Sequence, residues 1–149
     1  LILGESLAAT LYLARKYGGD LGPADLAEDA LMMQWSFYAA TSIEPDALTI
    51  LFLHAPSRLQ PGDDQAVVAN AAERLVRPLK VIEGHLGTHD HLVGARFTVA
   101  DLNMAEVLRY AQGYGELMGQ FPATMAWLER CQARPAFRQM WDARLAEPE

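Results

Sequence analysis

Three histidines, His85, His89 and His91, lie close enough in the chain to raise a metal site, because imidazoles four apart on one helix face can share a zinc ion. Gly87 and Asp90 spread them across a fraying helix end and a loop, so they read as solvated histidines and no metal is expected. Cys131 is the single cysteine. To act as a nucleophile it would need a neighbouring base or a helix N-terminus to lower its pKa. It falls late in a helix, in line with Met125 and Leu128, and reads as a small buried thiol. Arg130 and Arg134, with Glu129, read as a solvated face. The pair Glu5-Ser6 at a helix start reads, on its own, as a cap. Thr98 and Asp101 give a sharper local signal. The Thr98 hydroxyl can accept the Asp101 N–H while the Asp101 carboxylate reaches back to the Thr98 N–H, and Phe97 and Leu102 sit where a hydrophobic staple needs them. That box is expected to start a helix and to have no catalytic role. No phosphate-binding glycine loop, HExxH or GxSxG occurs, so catalytic motifs alone are silent.

The elements that must carry these residues are helical nearly throughout. Leu7, Leu11 and Ala14 keep one face of a helix that starts at Ser6 and stops at Gly18-Gly19. Pro23 or Ala24 opens a second helix, with Asp25, Glu28 and Asp29 in its early turns. No charged residue lies between Ala30 and Ile43. Leu26, Ala30, Met33, Phe37 and Ala40 make one apolar stripe there, and Leu31, Trp35, Tyr38 and Ser42 another. A helix apolar on two sides must bury both, one in its own core and one against a partner or ligand. Pro45 is expected to kink or interrupt it, with Leu48 to Leu53 continuing as helix. Pro56 to Asp64 reads as a loop. A third long helix carries Ala72, Leu75, Leu79, Ile82 and Leu86 on one stripe, bent at Pro78. After a loop over 87–96, the boxed helix runs from about Val99 to Ala111, with Leu102, Ala105 and Leu108 inward. Pro122 starts a helix that stops before Pro135, and a last short one uses Phe137, Met140, Trp141 and Leu145. The expected fold is an all-α domain of about five or six helices.

Composition narrows the function classes. The chain has 149 residues, 51% of them hydrophobic and 21% charged, enough for one domain with a sizeable core. Twelve Lys and Arg against nineteen Asp and Glu give a net charge of −7. That balance argues against nucleic acid or an anionic membrane as partner. No apolar run reaches the roughly 20 residues of a bilayer span. One cysteine excludes an internal disulfide and fits a reducing compartment. Leu1-Ile2-Leu3-Gly4 shows no signal-peptide pattern and runs straight into helix, so an upstream part of the structure is expected.

Three motifs in order resemble the cytosolic glutathione S-transferases. Glu5-Ser6-Leu7-Ala8-Ala9-Thr10-Leu11-Tyr12-Leu13-Ala14-Arg15-Lys16-Tyr17-Gly18 is similar to the junction at which an ES pair opens the last helix of the thioredoxin-like domain. Phe97-Thr98-Val99-Ala100-Asp101 resembles the family's capping box. Phe121 to Arg130, then Ala133-Arg134-Pro135-Ala136-Phe137, resembles its tail. The chain departs at Ala9, usually Ile, and at Gly4, usually larger.

The resemblance implies that 1–18 closes a thioredoxin-like glutathione-binding domain and that 19–149 is the all-helical C-terminal domain. It implies glutathione as co-substrate, with Ser6 holding the γ-glutamyl carboxylate at a positive helix end and Glu5 its ammonium. It implies a hydrophobic pocket for a small electrophile, for which Trp35, Tyr38, Thr41, Ser42, Tyr110 and Tyr114 are the candidates. A homodimer in the cytoplasm is expected. The thiol-activating residue is expected upstream, so no catalytic residue is named and this piece alone is expected to be inactive. A non-catalytic interaction module, or a glutathione-dependent isomerase, lyase or disulfide reductase on the same scaffold, is the alternative.

Overall fold

A computed structural model describes residues 1–54 and 64–147. Eight α-helical segments follow one another: α1 Ser6–Tyr17, α2 Leu26–Tyr38, α3 Glu44–His54, α4 Asp64–Leu86, α5 Val99–Leu108, α6 Gly115–Met118, α7 Pro122–Gln132 and α8 Pro135–Leu145. No strand occurs among the described residues, so the all-α expectation holds, with finer segmentation than the periodicity implies. The loop expected at Pro56 to Asp64 lies outside the described residues, apart from Asp64, where α4 begins.

The second helix starts later than expected. Asp25, not Pro23 or Ala24, is the cap: its carboxylate accepts the Glu28 N–H at 2.8 Å, and α2 begins at Leu26. Pro45 does not break the path. A π-helical turn at Ala39–Ile43 widens the backbone, and the Glu44 N–H bonds to the carbonyl of Ala39 five residues back. Pro45 then falls in the first turn of α3, and the widened turn before it carries the helical path past the missing N–H.

The two stripes read on α2 bracket the true core seam. Met32, Trp35, Ser36, Ala39 and Ile43 are buried. Leu26 and Phe37 are 82% and 62% exposed, and Leu31 is 44% exposed. Every residue of the α4 stripe, from Ala72 to Leu86, is buried as expected.

Helix α5 departs most from a one-sided reading. Val99, Ala100, Asp101, Asn103, Met104, Ala105, Val107 and Leu108 are all buried, while Leu102 is only half-buried. The helix sits at the centre, packed against α1, α2, α3 and α7, and is therefore enclosed nearly all round. It ends at Leu108, three residues short of Ala111, in a run of turns. At the other extreme α8 buries none of its described residues; Met140 is 44% and Leu145 70% exposed.

Candidate functional site

The first turn of α1 carries the candidate site. Glu5 occupies the cap position, because its carbonyl takes the first helical bond, from the Ala9 N–H at 3.0 Å. Its backbone lies at φ 62, ψ 114, the one positive φ at a non-glycine among the described residues. L-residues held there are strained, commonly by about 1–3 kcal/mol, and such strain collects at binding sites. No side chain caps this helix, and its first turn has no acidic residue. The four N–H groups that a helix start leaves without an intrahelical partner therefore belong to Glu5, Ser6, Leu7 and Ala8.

Those same four residues line one end of a cavity of about 370 Å³. Leu11 and Ser36 also line it, with Met33 and Phe37 of α2, Ala40 of the π-helical turn, Glu44 at the start of α3, and Arg15. Glu5 and Ser6 are exposed. The lining combines the start of α1, apolar side chains, carboxylates at Glu5 and Glu44, and the Arg15 guanidinium, which pairs with Asp29. An α-amino acid head group fits that chemistry: its carboxylate suits the helix end and its ammonium the carboxylates.

Residues on the outer stripe of α2 thus face a ligand-sized space. The aromatic and hydroxyl candidates chosen from the sequence do not line it. Trp35 is buried in the core, edge-on to Tyr38 at 5.9 Å and to His85 at 5.1 Å. Tyr38 donates its hydroxyl to the Pro78 carbonyl at 3.3 Å. Tyr38 and Ser42 line a separate, outward recess with Arg74, Arg77, Pro78 and Val81. Thr41 is exposed and bonds back to the Phe37 carbonyl at 2.8 Å. Tyr110 lies under the Arg109 guanidinium, and Tyr114 packs on His54 while its hydroxyl meets Glu116 at 3.4 Å. These six side chains do not converge on one cavity.

The capping box is present, and it does more than start α5. Asp101 is fully buried. One carboxylate oxygen accepts the Thr98 N–H at 2.9 Å and the Thr98 hydroxyl at 3.1 Å. The other accepts the Leu92 N–H at 2.9 Å and the Trp127 indole N–H at 3.1 Å. Four donors from three parts of the chain meet one carboxylate, so the role is structural.

The histidines divide differently from the solvated reading. His85 is half-buried against Trp35 and stacks on exposed His89 at 4.3 Å. The Nδ1 of His91 is buried 3.8 Å from Asp101. No group of three or more His, Cys, Asp or Glu side chains is placed to hold a metal among the described residues. Cys131 is buried, and burial, with Asp101 nearby, pushes its thiol up to about 12. It stays protonated and inert at neutral pH. No helix of the described residues is long and apolar enough to cross a membrane.

Comparison with known proteins agrees with this architecture. The family "Glutathione S-transferase, C-terminal domain" matches residues 29–135. The chain is 35% identical to glutathione S-transferase 3 of Zea mays over 145 residues, covering 93% of this chain and 65% of that protein. It is 31% identical to glutathione S-transferase 1 of Triticum aestivum over 153 residues, covering 94% and 67%. It thus spans about two thirds of the length of these relatives. Among solved structures, a glutathione transferase of Phanerochaete chrysosporium in complex with oxidized glutathione superposes with a TM-score of 0.78 at 26% identity, over 96% of this chain and 67% of that one. One from Burkholderia graminis, with two glutathione molecules bound per subunit, gives 0.77 at 28%, over 93% and 59%. An all-helical body, an open helix start beside a recess and these relatives lead to one assignment: the chain belongs to the glutathione S-transferase family and comprises its C-terminal domain.

Proposed function

We propose that the chain is part of a glutathione transferase that adds the glutathione thiolate to a small hydrophobic electrophile. Residues 1–18 close the thioredoxin-like glutathione-binding domain, and 19–149 form the helical domain behind it. The observation that carries this reading is the coincidence at α1: the four residues whose N–H groups have no intrahelical partner all line the recess. Ser6 offers its N–H and hydroxyl to the γ-glutamyl carboxylate, and Glu5 pairs with the ammonium. Met33, Phe37 and Ala40 supply the apolar wall. Activation of the thiol needs a preorganised donor upstream of Leu1, so residues 1–149 alone bind weakly and do not turn over. The full-length enzyme works in the cytoplasm as a homodimer, without a metal.

Calorimetry of the full-length protein with glutathione tests this. The expected result is saturable binding that weakens about tenfold in Ser6→Ala, the loss of roughly 1.4 kcal/mol. No heat at millimolar glutathione overturns it.

A further inference from the structure

A hydrogen-bonded chain crosses the core from α1 through α5 to α2. The Thr10 hydroxyl donates to Asn103 Oδ1 at 2.6 Å, Asn103 Nδ2 donates to Ser36 Oγ at 2.9 Å, and the Ser36 hydroxyl donates to the Met32 carbonyl at 2.8 Å. Thr10 also reaches the Leu7 carbonyl at 2.9 Å. Asn103 and Ser36 are each 1% exposed, so this polar path runs through apolar surroundings where its bonds are strong and directional. One end, Ser36, lines the recess; the other, Thr10, sits on α1 outside it, beside a separate groove with Leu13, Ala14 and Tyr17. Thr10 lies one helical turn beyond Ser6 on α1, and Ser36 itself lines the space, between Met33 and Phe37 on α2. Asn103 stands on α5 between them.

We propose that Asn103 is a positioning residue for the glutathione site, fixing the first turns of α1 against α2 through Thr10 and Ser36. This rests on the glutathione reading above. The amide serves both neighbours: its oxygen accepts from Thr10, whose hydroxyl proton is shared with the Leu7 carbonyl, while its nitrogen donates to Ser36, whose own proton goes to Met32. A carboxylate of the same shape has no proton for Ser36 and brings a buried charge. Without the chain, α1 is free to shift along the apolar floor, and the Glu5–Ser6 step loses its register with the α2 wall. A misplacement of that kind lowers affinity without removing any group that touches ligand.

The test is glutathione binding by the full-length protein, with the thermal midpoint measured alongside. Thr10→Val and Ser36→Ala are expected to raise Kd about fivefold at a temperature where both variants are fully folded, and Asn103→Asp about tenfold or more. Thr10→Ser, which keeps the hydroxyl, is expected to restore wild-type Kd; a purely structural role gives no such rescue of affinity. If Asn103→Asp fails to fold, the two end variants decide. Lowered midpoints with unchanged Kd in Thr10→Val and Ser36→Ala overturn the proposal while Ser6→Ala still weakens binding. Unchanged Kd in Ser6→Ala as well overturns the glutathione reading itself.

Discussion

Two helix starts in this molecule solve the same problem in opposite ways. At α5 the carboxylate of Asp101 turns back on its own helix and gathers four donors, and Thr98, Val99, Ala100 and Asp101 are all buried. At α1 the cap residue Glu5 makes no side-chain cap bond and holds a positive φ, and the residues of the first turn line a recess. Both are preceded or occupied by an acid and a hydroxyl residue, so composition does not separate them. What separates them is order. A hydroxyl followed three residues later by a carboxylate closes a box, whereas a carboxylate directly before a hydroxyl cannot. A closed start contributes stability; an open one leaves donors and a positive end for a ligand.

The comparison can be broken at either end. Opening the closed start is expected to have the largest effect. Asp101→Ala strands the N–H groups of Leu92, Thr98 and Trp127 inside the core, at roughly 1–3 kcal/mol each. A loss of about 3 kcal/mol or more in urea unfolding is expected, and a loss under 1 kcal/mol would show that the hub is dispensable. Relaxing the open start is expected to divide stability from binding. Glu5→Gly relieves the positive φ and raises stability by about 1 kcal/mol, yet weakens glutathione binding by removing the carboxylate for the ammonium. A variant that loses both would mean that Glu5 serves the fold.

A third start, at α2, sharpens the contrast because it is closed but lies near the surface. Asp25 accepts the Glu28 N–H, Glu28 accepts the Ala24 N–H at 2.8 Å, and Arg96 binds both oxygens of Glu28 at 2.9 and 2.7 Å. The Arg96 guanidinium, followed by the Ala24 N–H, holds the Glu28 carboxyl down at about 2. A carboxyl lowered on folding stabilises above its unfolded value, near 4.3, and that contribution disappears as pH falls toward 2. Glu28→Gln is therefore expected to cost about 0.5 kcal/mol at pH 6, the scale of an exposed ion pair. The gap to wild type should shrink between pH 4.5 and 2. A pH-independent gap would place the effect in packing.

Much of the fold was readable because single faces repeat. The α4 stripe from Ala72 to Leu86 needed only its own spacing, as did the starts at Thr98 and Pro122. The enclosure of α5 was not readable, since a helix buried all round shows no periodicity to contrast with. On α2 every position from Ala30 to Ile43 is uncharged, so the sequence could not say which side faces the core. That choice depends on α4 and α5. The same ambiguity bears on the pocket candidates: Trp35 and Tyr38 have aromatic chemistry suited to a ligand, and in the structure they meet His85 and the Pro78 carbonyl across the core. Glu5 and Ser6 were singled out by the family resemblance alone, since by themselves they read only as a helix cap. Asn103 gave one signal, a lone amide between apolar neighbours on a buried helix, whose meaning required Thr10 and Ser36 in space.

A crystal structure of the full-length protein grown with glutathione tests the central claim most directly. The account predicts the γ-glutamyl carboxylate within about 3 Å of the Ser6 N–H and hydroxyl, with the ammonium on Glu5. Glutathione bound elsewhere, with the first turn of α1 facing only solvent, would contradict it.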